Sequence, residues 1–197
     1  MTSEVPRSPE RFFGEYVPAE LARLGASLGK LSSVGAVVFD VGAAGAWSLR
    51  LEGGAPSVRS GVDPDPLVRV TLAPDDFEPV IVAGAEKIGG DDAQGRELVA
   101  ARVLTVDADR ARMLREAPGS VALRLTLAAG AERRLTITLG GAEPKLDAPD
   151  CEVLCALEDF WALQGGQKNA FELLMDGKLK MSGRVELAMA LAAALGG

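Results

Sequence analysis

The sequence of 197 residues contains no histidine. Histidine is the side chain that most often acts as a general base near neutral pH, and it is a frequent ligand of zinc. Without it, Ser32, Ser33 and the other serines lack the usual partner that activates a nucleophile. The glycine pairs have no strand–GxGxxG–helix context, and the sequence has no P-loop. We therefore expect no catalytic residues, no metal site and no cofactor.

Cysteine is nearly absent as well, with only Cys151 and Cys155 in the chain. Both fall in a segment that alternates like a β-strand, where residues four apart are separated by roughly 13 Å. That separation is too large for a disulfide, and the spacing is not the CxxC of a common metal or redox site. We interpret both thiols as buried core residues in a reducing compartment.

The chain has neither a run of basic residues nor a long apolar run. Its 21 basic and 28 acidic side chains give a net charge of −7, which argues against a nucleic-acid partner and offers no fixed attraction to anionic membranes. No apolar stretch reaches the roughly 20 residues of a membrane span, so integral membrane insertion is not expected. The first residues, MTSEVPRSPERFF, carry early charges and no apolar signal core, which predicts a cytoplasmic protein.

The first half of the sequence contains a regular succession of predicted helices and strands. Apolar residues at helical spacing predict a helical segment over residues 10–31, which Pro18 divides into two short helices. Helices are also predicted from Asp75, over residues 97–101 and from Asp107 to Glu116. Apolar and β-branched runs predict five strands: Ala36–Val41, Trp47–Glu52, Val58–Val62, Leu67–Leu72 and Arg102–Val106.

The second half follows the same order. A helix begins at Glu158, a second carries Phe171, and the chain closes with the apolar helix Val185–Leu195, in which only Glu186 is charged. The predicted strands are Val121–Ala128, Arg134–Leu139, a weak Pro144–Leu146, Cys151–Leu157 and Lys178–Met181.

The recurrence of this order predicts an internal repeat of two α+β units joined near Pro118, which comprise residues 1–117 and 118–197. Asp75-Asp76-Phe77 in the first unit corresponds to Glu158-Asp159-Phe160 in the second. We interpret these acidic pairs as helix caps rather than as catalytic carboxylates, because each stands at a predicted helix start.

The second half contains Met175-Asp176-Gly177-Lys178-Leu179-Lys180-Met181-Ser182-Gly183 between its last two helices. With Glu158-Asp159-Phe160 before it and an apolar helix after it, this stretch resembles the sterol carrier protein type two family. The first half shows a weaker resemblance, because it reads Ala101-Arg102-Val103-Leu104 where the family has Gly-Lys-Leu. Its matching residues are Phe12-Phe13, Phe39-Asp40, Trp47 and Asp75-Asp76-Phe77.

This resemblance implies an α+β fold in which each unit is a twisted, mostly antiparallel sheet of about five strands covered by helices. It also implies an apolar tunnel between sheet and helices that binds or transfers a fatty acid, an acyl thioester or a sterol-like ligand without enzymatic activity. Ordinary core packing is the alternative for each residue of the implied pocket. These residues are Phe160, Trp161, Phe171, Leu174, Met175, Leu179, Met181, Leu187, Met189 and Leu191.

A second hypothesis is an accessory or scaffolding module that docks by its apolar helices onto an enzyme of lipid-like metabolites. The missing Gly-Lys-Leu of the first unit favours it, because a degenerate carrier unit can persist as an interface. Such a module would have a protein partner or form a homodimer. An enclosed apolar tunnel favours the carrier, whereas a filled core with an exposed apolar patch favours docking.

Overall fold

The computed structural model describes residues 4–28, 35–52, 55–89 and 106–194. Within these ranges the chain has the predicted α+β architecture, with one sheet of eight strands and a layer of helices. The strands are β1 (Ala36–Asp40), β2 (Ala46–Glu52), β3 (Ala55–Ser60), β4 (Pro66–Leu72), β5 (Gly119–Thr126), β6 (Glu132–Leu139), β7 (Cys151–Ala156) and β8 (Lys180–Gly183).

The helices precede the sheet, connect its strands and close the chain. Two helical segments contain a π-helical turn, one at Phe12–Tyr16 and the other at Glu78–Val82. None of the described helices has both the length and the hydropathy of a membrane span. The helices are α1 (Pro9–Arg11), α2 (Val17–Leu28), α3 (Pro74–Phe77), α4 (Ala83–Gly89), α5 (Ala108–Glu116), α6 (Leu157–Gln164), α7 (Ala170–Met175) and α8 (Val185–Ala194).

The strand order is β3-β2-β1-β4-β6-β5-β7-β8. The same local arrangement occurs in each half of this order. β1 lies between β2, to which it is antiparallel, and β4, to which it is parallel. β5 lies between β6 and β7 in the same two orientations. Each central strand is therefore flanked by its hairpin partner and by the strand that leads into an acidic helix start.

The structure differs from the expected pair of five-stranded sheets, because β4 pairs with β6 and makes the sheet continuous. The predicted strand Pro144–Leu146 is not a strand, and the position beside β6 is taken by β4. The predicted elements at residues 97–101 and 102–105 lie outside the described residues. The division into residues 1–117 and 118–197 stays a prediction, although the sheet crosses it.

Alternation along the strands gives the sheet one apolar and one polar face. On the apolar face, a single row of paired residues crosses six strands: Trp47, Phe39, Val70, Ile137, Val121 and Cys151. The next row, on the polar face, contains Asp40, Thr71, Thr136, Ala122 and Glu152. The helices cover the apolar face and fill it with side chains such as Phe13, Phe77, Leu114 and Leu187, each at most 1% exposed.

Pro18 does not divide the first helical segment, contrary to the sequence prediction. The helix runs on from Pro9 to Leu28, and the backbone N–H of Val17 bonds the carbonyl of Phe12 in a π-helical turn. Such a turn widens the helix by one residue, which accommodates a proline without a break. The turn also points Phe12 and Phe13 into the core, where Phe13 stacks on Trp47 with ring centroids 5.0 Å apart.

The motif Met175 to Gly183 is a helix stop followed by an edge strand. Lys178 N–H bonds the carbonyl of Leu173 at 2.9 Å, and Gly177 N–H bonds that of Leu174 at 3.0 Å. These two bonds form a Schellman motif, with Gly177 in the left-handed region at φ +68°. Strand β8 consequently begins at Lys180 instead of Lys178.

The two glycines of this motif should respond differently to alanine. Both have positive φ, but a Cβ at Gly183 would lie 2.5 Å from the carbonyl oxygen of Asp150, whereas a Cβ at Gly177 meets nothing within 4 Å. We expect Gly177→Ala to lower the free energy of unfolding by about 1 kcal/mol, the cost of a left-handed residue with a side chain. Gly183→Ala should lower it by about 2–4 kcal/mol, because the backbone must also shift. Urea denaturation measures the free energy of unfolding of both variants. Equal losses in the two variants would contradict a steric contact at Gly183.

Candidate functional site

The ten predicted pocket residues differ in their burial. Four are buried, two are partly buried and four are exposed. The buried ones are Trp161, Leu179, Leu187 and Leu191, and the partly buried ones are Phe160 and Met181. The exposed ones are Phe171, Leu174, Met175 and Met189.

Trp161 has a structural role at the contact between α4 and α6. Its indole N–H bonds the carbonyl of Val80 in the second π-helical turn at 3.2 Å. The ammonium of Lys87 lies 4.6 Å from the ring centroid, and it also pairs with Glu158. Gly84 leaves room for the indole, since a Cβ there would lie 2.9 Å from its nitrogen. These contacts tie the helix after β4 to the helix after β7, and they explain the burial of Trp161 without a ligand.

The inner face of α8 is also ordinary core. Leu187 and Leu191 are 0% and 7% exposed, and Ala194 is fully buried one turn further on. This face packs against α5, β5 and β7. Burying each leucine contributes roughly 1.5–3 kcal/mol, so these residues serve folding and need no ligand to cover them.

The apolar stripe of α7 points away from the core. Phe171, Leu174 and Met175, at the i, i+3 and i+4 spacing of one helix face, are 67%, 37% and 72% exposed. Only Leu173, on the other side, is buried. An amphipathic helix usually turns such a stripe inward. These three residues lie on the surface of the described structure, and their part in a lipid pocket stays a prediction.

The outer face of α8 has the same character. Val185 and Met189 are 40% and 61% exposed, and Glu186 is the one charged residue of the helix. We call Phe171, Leu174, Met175, Val185 and Met189 the C-terminal apolar set. They are five of the seven exposed large hydrophobic residues in the described ranges, the other two being Val62 and Leu146. All five fall within residues 171–189 of the sequence, and exposed apolar residues that form a contiguous patch mark a binding surface.

The cleft that the structure does show is polar. It has a volume of about 360 Å³ and lies against β5, β6 and β7. Two ion pairs lie within the cleft, Arg124 with Glu132 at 2.7 Å and Arg133 with Asp76 at 3.5 Å. Its lining is Asp76, Arg124, Glu132, Arg133, Arg134 and Glu152. This polar lining differs from that of the implied apolar tunnel, which stays a prediction.

The acidic pairs lie in the first turns of helices, but they are not N-cap residues. The N-caps of α3 and α6 are Ala73 and Ala156, neither of which offers a side-chain bond. Asp75, Asp76 and Glu158 follow them within the first turn, where negative charge favours the helix dipole. Asp159 is 8% exposed and forms an ion pair with Lys168. Asp76 and Glu158 also form ion pairs, with Arg133 and Lys87.

Both thiols are buried in β7, as the alternation predicts. Burial raises the pKa of Cys151. It raises the pKa of Cys155 to about 11, with a further contribution from the negative charge of Asp159. The reactive form of cysteine is the thiolate, so neither thiol has the electrostatic environment of a nucleophile.

The comparisons with known proteins place the second half of the chain in a family. Residues 99–196 match the family model of the SCP-2 sterol transfer family. These residues belong to that family. The match begins at residue 99, so it takes in α5 as well as the elements from β5 to α8, which include the motif Met175 to Gly183. The predicted resemblance is confirmed for this half, and a second complete unit in the first half stays a prediction.

Several solved structures of sterol carrier proteins overlap with part of the chain. Sterol carrier protein 2-like 2 from Aedes aegypti is 23% identical, with a TM-score of 0.37 over 60% of this chain and 95% of that one. Its palmitated form, at 21% identity, has a TM-score of 0.37 over 61% and 94%. Sterol carrier protein 2 from Yarrowia lipolytica is 19% identical, with a TM-score of 0.36 over 56% and 92%. No curated protein sequence matches the chain significantly.

The high pKa of Cys155 predicts slow thiol chemistry in the folded protein. At pH 8 a thiol with a pKa of about 11 is ionised to the extent of roughly one part in a thousand. In a Cys151→Ser variant, we expect 5,5′-dithiobis(2-nitrobenzoate) to react at least about 100-fold more slowly with native than with urea-unfolded protein. Comparable rates in the two states would show that Cys155 is accessible and activated.

Proposed function

We propose that this protein is a non-enzymatic carrier that binds and transfers an apolar ligand such as a fatty acid, an acyl thioester or a sterol-like molecule. The observation that carries the proposal is the outward apolar stripe of α7, which lies within the segment that belongs to the SCP-2 sterol transfer family. Family membership supports the ligand class, and the exposed stripe supports the location.

The energetic argument concerns the side chains of the C-terminal apolar set. Phe171, Met175 and Met189 each keep more than half of their surface in water. Covering one large apolar side chain completely contributes roughly 1.5–3 kcal/mol. A ligand that lies across several of them therefore gains affinity without any change in the filled core. The two methionines suit chemically similar ligands of different shape, because a thioether side chain adapts its rotamers to what it contacts.

Residues that are buried in the core support this surface from below. Leu173 anchors α7, and Leu187 with Leu191 anchors α8. In this proposal they position the exposed side chains and do not contact the ligand. An enclosed tunnel, a cytoplasmic location and the absence of enzymatic activity stay predictions alongside it.

Charged substitutions in the C-terminal apolar set should weaken ligand binding. We expect Leu174→Glu and Met189→Glu each to lower the affinity for a fluorescent fatty acid at least tenfold, because a carboxylate would be placed against the apolar ligand. Both side chains are exposed already, so the variants should fold, and circular dichroism with urea denaturation checks this.

Val62→Glu is the matched control, since Val62 is 46% exposed and lies outside the set. It should bind the fatty acid like the unmodified protein. Unchanged affinity in folded Leu174→Glu and Met189→Glu would move the ligand site elsewhere. Absence of any exchangeable fatty acid at micromolar concentrations in the unmodified protein would overturn the carrier function itself.

An accessory module that docks onto an enzyme is the second candidate. The observation in its favour is the filled core beneath an exposed apolar set, the combination that distinguishes a docking module from a tunnel. Such a protein would hold no exchangeable lipid, and its apolar set would be covered by a partner or by a second copy. Sedimentation velocity of the purified chain and of Met189→Glu separates these cases, because a homodimer formed through this set dissociates in the variant.

A further inference from the structure

We propose that Met175 and Met189 are sites of reversible oxidation, and that their conversion to methionine sulfoxide makes the C-terminal apolar set polar. The proposal deepens the carrier function above and rests on it in one respect, because it predicts that oxidation weakens the binding of the apolar ligand. The observation that carries it is the exposure of these two side chains.

Both methionines of the C-terminal apolar set are open to water. Met175 is 72% exposed and Met189 is 61% exposed, the first and third highest values among the exposed large hydrophobic residues of the described ranges. Met113 and Met181 are half-buried, and Met181 packs against the core. Because the oxidation of a sulfur side chain depends on its access to the oxidant, Met175 and Met189 are the methionines of the described chain that react first.

The oxidant that this step requires is a peroxide, and hydrogen peroxide serves as its example. The O–O bond breaks, one oxygen atom forms a bond to the thioether sulfur, and the other leaves as water. The sulfur loses two electrons and the peroxide gains them. Methionine sulfoxide reductases reverse the step, in which the oxygen leaves as water and two thiols of the reductant form a disulfide. The same exposure that admits the peroxide leaves the sulfoxide accessible to a reductase.

The two cysteines do not compete for the oxidant. Cys151 and Cys155 are buried in β7, and burial raises the pKa of both thiols, that of Cys155 to about 11. Peroxide reacts with the thiolate and needs access to it. The oxidisable sulfur of the described chain is therefore concentrated in the C-terminal apolar set.

Oxidation at these two positions changes the surface and leaves the fold intact. Other residues hold the two helices in the core, Leu173 in α7 and Leu187 with Leu191 in α8. A sulfoxide oxygen is a polar group that water solvates at an exposed site, and an apolar ligand that covers it removes this solvation without replacing it. The oxidised protein should therefore stay folded and bind an apolar ligand less tightly.

Peptide mass spectrometry after treatment with hydrogen peroxide tests the two sites. In the native protein, Met175 and Met189 should be oxidised at least about fivefold faster than Met113 and Met181, because they are the more exposed pair. In urea the four rates should converge, since unfolding exposes all four side chains. Equal rates in the native protein would overturn the assignment of the sites.

Fatty-acid displacement and hydrophobic interaction chromatography test the effect on the surface. Oxidised protein should bind a fluorescent fatty acid at least about tenfold more weakly and elute earlier, with an unchanged circular dichroism spectrum. Methionine sulfoxide reductases specific for the two sulfoxide epimers, with dithiothreitol, should restore both properties. The matched control is Met175→Leu with Met189→Leu, which keeps apolar side chains but no oxidisable sulfur at these positions. Whatever the starting affinity and retention of this variant, peroxide should leave them unchanged.

The untreated protein keeps this test separate from that of the carrier function. If it binds no fatty acid, the carrier function is refuted, while the change in chromatographic retention on oxidation still decides whether the surface becomes polar. If untreated and oxidised protein bind fatty acid equally and elute together, the switch is refuted and the carrier function stands. Equal losses in the unmodified protein and the leucine variant would also overturn the switch, because the effect would then arise at another residue.

Discussion

The antiparallel pairing of β4 with β6 is the contact on which the rest of the structure depends. Five residue pairs, from Val68 opposite Leu139 to Leu72 opposite Leu135, join the two halves of the chain. β4 is already bonded to β1 and β6 to β5, so neither strand keeps an unpaired edge. A single apolar face results, and one helix layer covers it for both halves. The contact of α4 with α6, where Trp161 bonds the carbonyl of Val80, links the halves again in that helix layer.

This continuity bears on where the proposed ligand would lie. Aromatic and aliphatic side chains fill the space between the sheet and the helices, as the near-complete burial of Phe13, Phe77 and Leu114 illustrates. Five of the seven exposed large hydrophobic side chains in the described ranges lie outside this layer, on α7 and on the outer face of α8. In the proposed carrier these exposed residues bind the lipid.

Sequence patterns identified most elements, because strand alternation and helix stops are local properties. The strands that contain Trp47, Val70, Ile137 and Cys155 lie where alternation predicts them. The prediction that Pro18 divides the first helix is wrong, because a π-helical turn accommodates the proline. The formation of that turn depends on the core into which Phe12 and Phe13 pack. The prediction of a weak strand at Pro144–Leu146 is wrong for a related reason. Lys145 N–H there bonds the hydroxyl of Ser120, so this segment crosses the polar face of the sheet while β4 pairs with β6.

The sequence by itself determined the family of the second half, the absence of histidine chemistry and the helix stop at Gly177, since each follows from residue identity and close spacing. Only the tertiary structure decided that the two halves share one sheet and that the stripe of Phe171, Leu174 and Met175 faces water. Helical periodicity predicts that the three side chains lie on one face of the helix. It does not predict whether that face contacts the core or water. That choice depends on tertiary packing, in which Leu173 is the residue of α7 that is buried, and the helical period alone does not specify it.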